Sequence, residues 1–271
     1  MELDNFDFII NQFELQEEKE EFKDMKNHNN CEYNEVFESI NNYDTVVTFD
    51  KIIIINNIVN DNEGYLLKDI VKEFLENDFL QKISKLSRPL EKKYNDVIER
   101  KMGRFEIIPP DNILFSIWNI LRRNPFFVFI NEKIKMEIQK NNPLSNDCIE
   151  ELGILPIEAH TDDGYWHRDV VINERENVFE SKPYYITQII YLDNLANTEF
   201  CIHSNYNRNN NFTKYDKKFI KTDSFSSVVF DGRHLHRGLA NSSIETRYAV
   251  YISYYDSSYK RREYGTGLKL Y

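Results

Sequence analysis

An α+β protein, with a helical first half packed on an all-β second half, is what this sequence leads one to expect, on three grounds. Segments before residue 125 repeat apolar residues every three or four positions, the period of an amphipathic helix. From about residue 155 the chain breaks into short β-rich runs separated by Asn-, Ser-, Asp- and Lys-rich loops, the pattern of a sandwich or barrel. The chain has only eight glycines and no Gly-rich phosphate loop opening a helix, which argues against a doubly wound sheet.

Residues 1–44 mix acidic and amide side chains with short apolar clusters and read as an acidic, partly helical extension. A single domain is expected over 45–271, with its β core at about 155–256. "TVVTFDKIIIINNIV", residues 45–59, is dominated by β-branched side chains and predicts a strand. In "EGYLLKDIVKEFLENDFLQKISKL" the spacing of Leu66, Leu67, Ile70, Val71, Phe74 and Leu75 predicts an amphipathic helix. A second helix is expected over 111–123, "DNILFSIWNILRR", with Asp111 as its cap. Later, "HRDVVI", "YYITQIIYLD", "TEFCIH", "SSVVFDG" and "TRYAVYISYY" predict strands, and "NYNRNNNFTKYDKKF" predicts a long mobile loop.

The composition narrows the function. The net charge of -11 argues against nucleic-acid binding, which needs clustered Lys and Arg. Cys31, Cys148 and Cys201 are far apart and form no CxxC pair, so reduced thiols in a cytoplasmic protein are expected. The acidic start lacks the features of a secretory signal, and the apolar run around "KIIIINNIV" is far below the roughly 18 residues of a membrane span. The glycosylation-like sequences at Asn211 and Asn241 are expected to be incidental in so Asn-rich a chain.

Chemistry concentrates in "HTDDGYWHRDVV", where His-x-Asp occurs twice, as His160 with Asp162 and as His167 with Asp169. If "WHRDVV" is a strand, His167 and Asp169 share one face and can hold adjacent positions of one ion. A third ligand could come from "VVFDGRHLHRGLANSSIETR", where His234 and His236 have the same parity. Two histidines and a carboxylate with open positions opposite form the facial site of non-haem Fe(II) oxygenases. Arg247, after the "GLANSS" turn, should return beside the His236 strand, where its guanidinium could grip a carboxylate through paired hydrogen bonds. Taken singly, each of these residues has a plain structural reading: a core histidine, a surface salt bridge. Their joint order and spacing point to a site.

Together, "WHRD", "YYITQIIYLDN" and "FDGRHLHRGLANSSIETR" resemble the Fe(II)- and 2-oxoglutarate-dependent oxygenases, specifically the phytanoyl-CoA dioxygenase-like branch, over about residues 155–256. The resemblance implies a double-stranded β-helix, or jelly-roll, core. It implies His167, Asp169 and His236 as iron ligands and Arg247 as the anchor of the distal carboxylate of 2-oxoglutarate. The activity implied is hydroxylation of a C–H bond in a small molecule or protein side chain, with succinate and CO2 as co-products. Related halogenases replace the carboxylate by a small residue, so Asp169 favours hydroxylation. "HTDDG" echoes the His-Thr-Asp of the plant-type and penicillin-forming branch, but there a hydrophobic strand follows directly, whereas here "YWHRD" intervenes. His160 and Asp162 are therefore expected in a loop leading into the site. His234 is expected beside the site rather than on the metal, and Arg233 and Arg237 toward solvent or a carboxylate. The family's Pro-Gly-Ser-His-like turn survives only as His203-Ser204. Tyr185, Thr187, Gln188 and Tyr191 are all candidates for the keto-acid end of the co-substrate. Two other classes compete: an inactive β-sandwich binding protein, and a cupin-like enzyme using Zn2+ or Mn2+. A small metabolite is the first expectation for substrate, an amino-acid residue the second and a nucleobase the third.

Overall fold

The structure, a computed structural model, describes residues 37–40, 51–76, 97–141, 148–170, 185–194, 196–206 and 211–256. Most of the expected N-terminal extension, with Cys31, lies outside these residues, as do 45–50 of the expected first strand, 77–86 of the first helix and 207–210 of the loop.

Eight strands form the major sheet. In chain order they are β1 (Phe37–Ile40), β2 (Ile52–Ile55), β3 (Val97–Lys101), β4 (Arg104–Ile107), β5 (Cys148–Ile157), β6 (Tyr185–Tyr191), β9 (Ser227–Asp231) and β11 (Arg247–Asp256). Across the sheet the order is β1-β2-β9-β6-β11-β5-β4-β3, antiparallel except for the β1–β2 pair. A minor sheet joins β7 (Ala196–Cys201), β8 (Lys217–Thr222) and β10 (His236–Gly238), in the order β10-β7-β8. Three helices, α1 (Asp61–Phe74), α2 (Asp111–Leu121) and α3 (Pro125–Asn141), complete the fold.

Side-chain alternation gives the major sheet two faces. On one, Ile154 of β5, Ile186 and Ile190 of β6, Val229 of β9 and Val250, Ile252 and Tyr254 of β11 pack with Leu67 and Val71 of α1, Ile117 and Leu121 of α2, and Phe127, Ile130 and Ile134 of α3. All are buried, and each such side chain contributes about 1.5–3 kcal/mol relative to exposure. The other face of the sheet meets the minor sheet. There Phe200 of β7 meets Phe230 of β9 edge to face, 5.0 Å between ring centroids, and the Tyr191 hydroxyl bonds Thr198 Oγ1 at 2.6 Å.

Local chemistry sets the helix ends. Asn60 and Glu63 form a reciprocal capping box at the start of α1, a device worth about 1 kcal/mol. Gly64 lies within α1 because a Cβ there would stand 2.3 Å from the Phe225 ring. Asp111 is not the cap expected of it. Pro110 occupies that position without a side-chain bond, and Asp111 sits in the first turn, where its charge favours the helix dipole. The turn into α3 is made by Asn124, whose Oδ1 accepts from the amides of Phe126 and Phe127, ahead of Pro125.

The first half is less helical than its periodicity suggests. The β3–β4 hairpin and most of β5 lie before residue 155, and all three strands belong to the major sheet. The segment expected to be a loop through Phe219 enters β8 at Lys217, pairing Lys217 with Cys201 and Phe219 with Glu199.

Candidate metal centre

Residues 167–170 of the expected "HRDVVI" strand do not form one, and 171–172 lie outside the described residues. His167 makes a single β-bridge to His236, by His167 N–H to His236 O (3.0 Å) and the reverse bond (2.9 Å). Asp169 N–H donates to Gly232 O at 2.9 Å. Alternation along a strand therefore does not bring the two ligands together. Both are pinned to one crossing segment, residues 232–236, which itself carries the third ligand. The two imidazoles lie with ring centroids 4.3 Å apart.

Each imidazole is oriented from behind. His167 Nδ1 lies 2.9 Å from Tyr165 O, and His236 Nδ1 lies 3.0 Å from His234 O. A carbonyl oxygen can only accept, so both Nδ1 atoms carry the proton and both Nε2 lone pairs are free to coordinate. The Nε2 atoms converge on Asp169 Oδ1, at 3.7 Å from His167 and 3.5 Å from His236, and the three ligand atoms all lie within 4.8 Å of one another. Ligands about 2 Å from one ion at right angles would be roughly 3 Å apart, so this donor set fits a divalent transition metal. The other Asp169 oxygen is held by Thr187 Oγ1 at 2.5 Å.

Surrounding residues fix the segments that bear the ligands. Trp166, which precedes the first ligand, stacks on Phe212 with ring centroids 5.6 Å apart, and the Arg237 guanidinium lies 4.9 Å from its ring centre. Arg237 meets carboxylates, as expected, bonding Glu199 and pairing with Asp163. Arg233 is buried against Asp231, and Arg168 donates to the carbonyls of Ser204 and Arg233. His203-Ser204 marks a tight turn: Ser204 Oγ donates to Cys201 O and accepts from Leu235 N–H, tying β7 to the segment before His236.

The structure separates the two His-x-Asp pairs. His160 and Asp162 are exposed and outside the ligand cluster, in a loop bridged at Thr161 to Asn241. His234 is buried, its Nδ1 3.1 Å from Asp231 O, and burial lowers its pKa to about 4. It stands beside the cluster and is not part of it.

Arg247 begins β11 on the face that meets the minor sheet, in register with Ile157 of β5, which is in turn paired with Arg104 of β4. The expected hairpin is instead a crossover, since β10 and β11 lie in different sheets. The predicted proximity survives. Arg247 Nη2 donates to Leu239 O, just after β10, at 2.9 Å, and Arg104 Nη2 donates to the same oxygen. Arg104 also bonds Asp162 O, and its Nη1 lies 2.7 Å from where a Cβ on Gly238 would be. Burial first, then the charge of Arg247, lower the Arg104 pKa to about 10.

Of the four β6 candidates, Gln188 is on the helix-covered side, bonded to Ser227 and Tyr254. Tyr185, Thr187 and Tyr191 are on the site face. Tyr185 bonds Ser253 and stacks on Tyr255, Thr187 holds Asp169, and Tyr191 pairs with Thr198. Sequence reading missed a further cluster on this face. Tyr251 Oη donates to Glu106 Oε1 at 2.9 Å, and Arg100 grips Glu106 Oε2 through Nε and Nη2. Their signal was faint, because β3 and β4 carry charged residues where strand propensity is low.

Two β layers with helices over the outside of one define a double-stranded β-helix, and the half-buried His-Asp-His cluster makes it one with a candidate metal centre. Among solved structures the chain is similar to the non-heme alpha ketoglutarate dependent epimerase SnoN from nogalamycin biosynthesis, with 13% identity over 76% of this chain and 77% of that one (TM-score 0.52). It is also similar to AviO1 from Streptomyces viridochromogenes Tue57, with 16% identity over 78% of this chain and 91% of the other (TM-score 0.51). At these identities the likeness is one of fold. No family model and no curated protein matches the sequence. Cys148 and Cys201 are free thiols, and among the described residues no single helix is long and apolar enough to cross a membrane.

Proposed function

We propose that this chain is a non-haem Fe(II)- and 2-oxoglutarate-dependent dioxygenase of the phytanoyl-CoA dioxygenase-like kind, hydroxylating a C–H bond of a small molecule and releasing succinate and CO2. The observation that carries this reading is the convergence of two correctly oriented Nε2 atoms and one carboxylate oxygen within 4.8 Å. His167, Asp169 and His236 would hold the iron, and Arg247 the distal carboxylate of 2-oxoglutarate. Bound there, metal and co-substrate supply the oxidising power to break an unactivated C–H bond.

The chain's own part is binding and orientation. The buried Arg247 presents its guanidinium on the inner face, beside the Tyr191–Thr198 hydroxyl pair, and Ala249 next along that face is its smallest side chain. Burial raises the Tyr191 pKa to about 12, so its hydroxyl stays protonated near an anion. Phe200 and Phe230 wall the His236 side with ring centroids 5.7 and 4.7 Å from the imidazole, limiting water there. The fold shared with SnoN, described as alpha ketoglutarate dependent, supports the choice of co-substrate.

Anaerobic titration with Fe(II) and then 2-oxoglutarate tests the reading. A weak visible absorption of the chelated keto acid should grow in, and be lost in Asp169→Ala and Arg247→Gln. A binding protein without a metal site would take up no iron, and a cupin-like enzyme would take up metal but show no such band. Succinate release across a metabolite library then identifies the substrate.

A further inference from the structure

The β3–β4 hairpin adds two edge strands to the major sheet, and one irregularity in it re-aims a cation. Strand pairing runs Val97↔Ile107, Ile98↔Glu106, Glu99↔Phe105 and then slips, so that Lys101 faces Arg104. Arg100 is the extra residue of this bulge. An unbroken strand would send Arg100 and Lys101 to opposite faces, whereas a bulge can put consecutive side chains on one side, and bulges recur beside functional sites. Here both reach the site face. Lys101 Nζ donates to Asp163 O at 2.7 Å, and Arg100 bonds Glu106, which shares a face with Arg104. Gly103 at φ +78 closes the turn, and Glu99 Oε1 accepts the Gly103 N–H at 2.9 Å, so the bulge is locked.

Arg100 is built to present one edge. Glu106 takes its Nε and Nη2, and among the described residues no acceptor takes its Nη1. Glu106 is itself fixed by the Tyr251 hydroxyl, whose ring passes Gly153 so closely that a Cβ there would be 2.3 Å from it. The Arg100 side chain is 44% exposed, while its carboxylate partner is 10% exposed. The guanidinium is therefore open outward on a rigid support. Its partner Glu106 is bound by Tyr251 of β11, on the face that also carries Arg247, which places the guanidinium on the site side of the hairpin. With iron(II), Asp169, a dianionic keto acid and Arg247 all in place the centre would carry no net charge, so attraction of an anionic substrate would fall to a separate cation of this kind.

From this geometry we infer that Arg100, held by Glu106 and Tyr251, is a specificity-determining residue that anchors an anionic group, a carboxylate or phosphate, on the substrate. The inference rests on the oxygenase reading for the identity of the substrate site, but the binding itself does not require iron. A planar guanidinium with one edge already tied matches a carboxylate or phosphate through its remaining N–H groups.

The test is a ligand-observed NMR titration of the full chain, metal-free and with 2-oxoglutarate saturating Arg247. The probes are phenylacetate against phenylacetamide and phenyl phosphate against phenol. The anions should bind at least tenfold more tightly than their neutral partners, and the tighter of the two names the substrate class. Arg100→Gln should remove that preference, and Arg100→Lys, which keeps the charge but not the fork, should retain part of it. Equal binding of neutral and anionic probes, no anion binding, or a preference unchanged in Arg100→Gln would each overturn the inference. Should Arg100→Gln fold poorly, a preference undiminished in both Arg100→Lys and Glu106→Gln would overturn it equally. Loss of the keto-acid absorption band with the preference intact would instead sink the oxygenase reading alone.

Discussion

Asp169 has no strand to hold it, so its aim depends on two bonds, its own N–H to Gly232 O and Thr187 Oγ1 to its second oxygen. Such an outer partner fixes which oxygen faces the metal and lowers the freedom that binding must freeze out. Thr187→Val keeps the shape of the side chain and removes the hydroxyl. The expected result is a 10–100-fold weaker metal affinity in a competitive chelator titration, with thermal stability of the metal-free protein nearly unchanged. A fall in stability without a fall in affinity would mean that Thr187 serves the sheet rather than the carboxylate. The backbone acceptors behind His167 and His236 cannot be deleted by a side-chain change, which leaves Thr187 the informative position.

Beyond its strand pairing with β5, the hairpin formed by β3 and β4 depends on Gly153 of β5, which lets the Tyr251 ring cross to Glu106. A methyl group there would overlap the ring by more than flexible rearrangement at the surface could relieve. Gly153→Ala should therefore cost about 1–3 kcal/mol, read as a lower urea midpoint with an unchanged slope. These elements are also where the sequence was hardest to read. The β-rich runs around 185–191, 227–231 and 247–256 were legible because buried β-branched and aromatic residues crowd them. The Val97–Lys101 and Arg104–Ile107 strands carry Glu, Lys and Arg into buried or half-buried places, a tertiary outcome that local propensity cannot signal. The site was legible for a different reason. His167, Asp169, His236 and Arg247 were readable as types in an order; the structure gathers the first three into one cluster and sets Arg247 on Leu239 O, just after β10. The expected route, a regular strand and a hairpin, is replaced by a single bridge and a crossover between sheets. Motif order survives such changes because ligands need only meet, whatever backbone delivers them.

At the level of the entire fold, the candidate centre ties together parts of the chain that secondary structure joins weakly. Between the loop carrying His167 and Asp169 and the segment carrying His236, the backbone links are one isolated bridge, the Gly164–Gly238 bond and the Asp169–Gly232 bond. An ion held by all three side chains would cross-link the loop, the minor sheet and, through Thr187, the major sheet. Binding of that kind favours the folded state by RT ln(1 + [L]/Kd), about 2.7 kcal/mol at a hundredfold excess over Kd. For a chain of this size the melting temperature should then rise by roughly 5–11 °C on anaerobic addition of Fe(II), and return on adding a chelator. Asp169→Ala should melt at the same temperature with and without the metal. A rise that persists in that variant would place the ion elsewhere on this acidic protein, whose net charge of -11 offers many weaker carboxylate sites. Only a rise that needs Asp169 would show the three ligands acting as a single clamp on the two sheets.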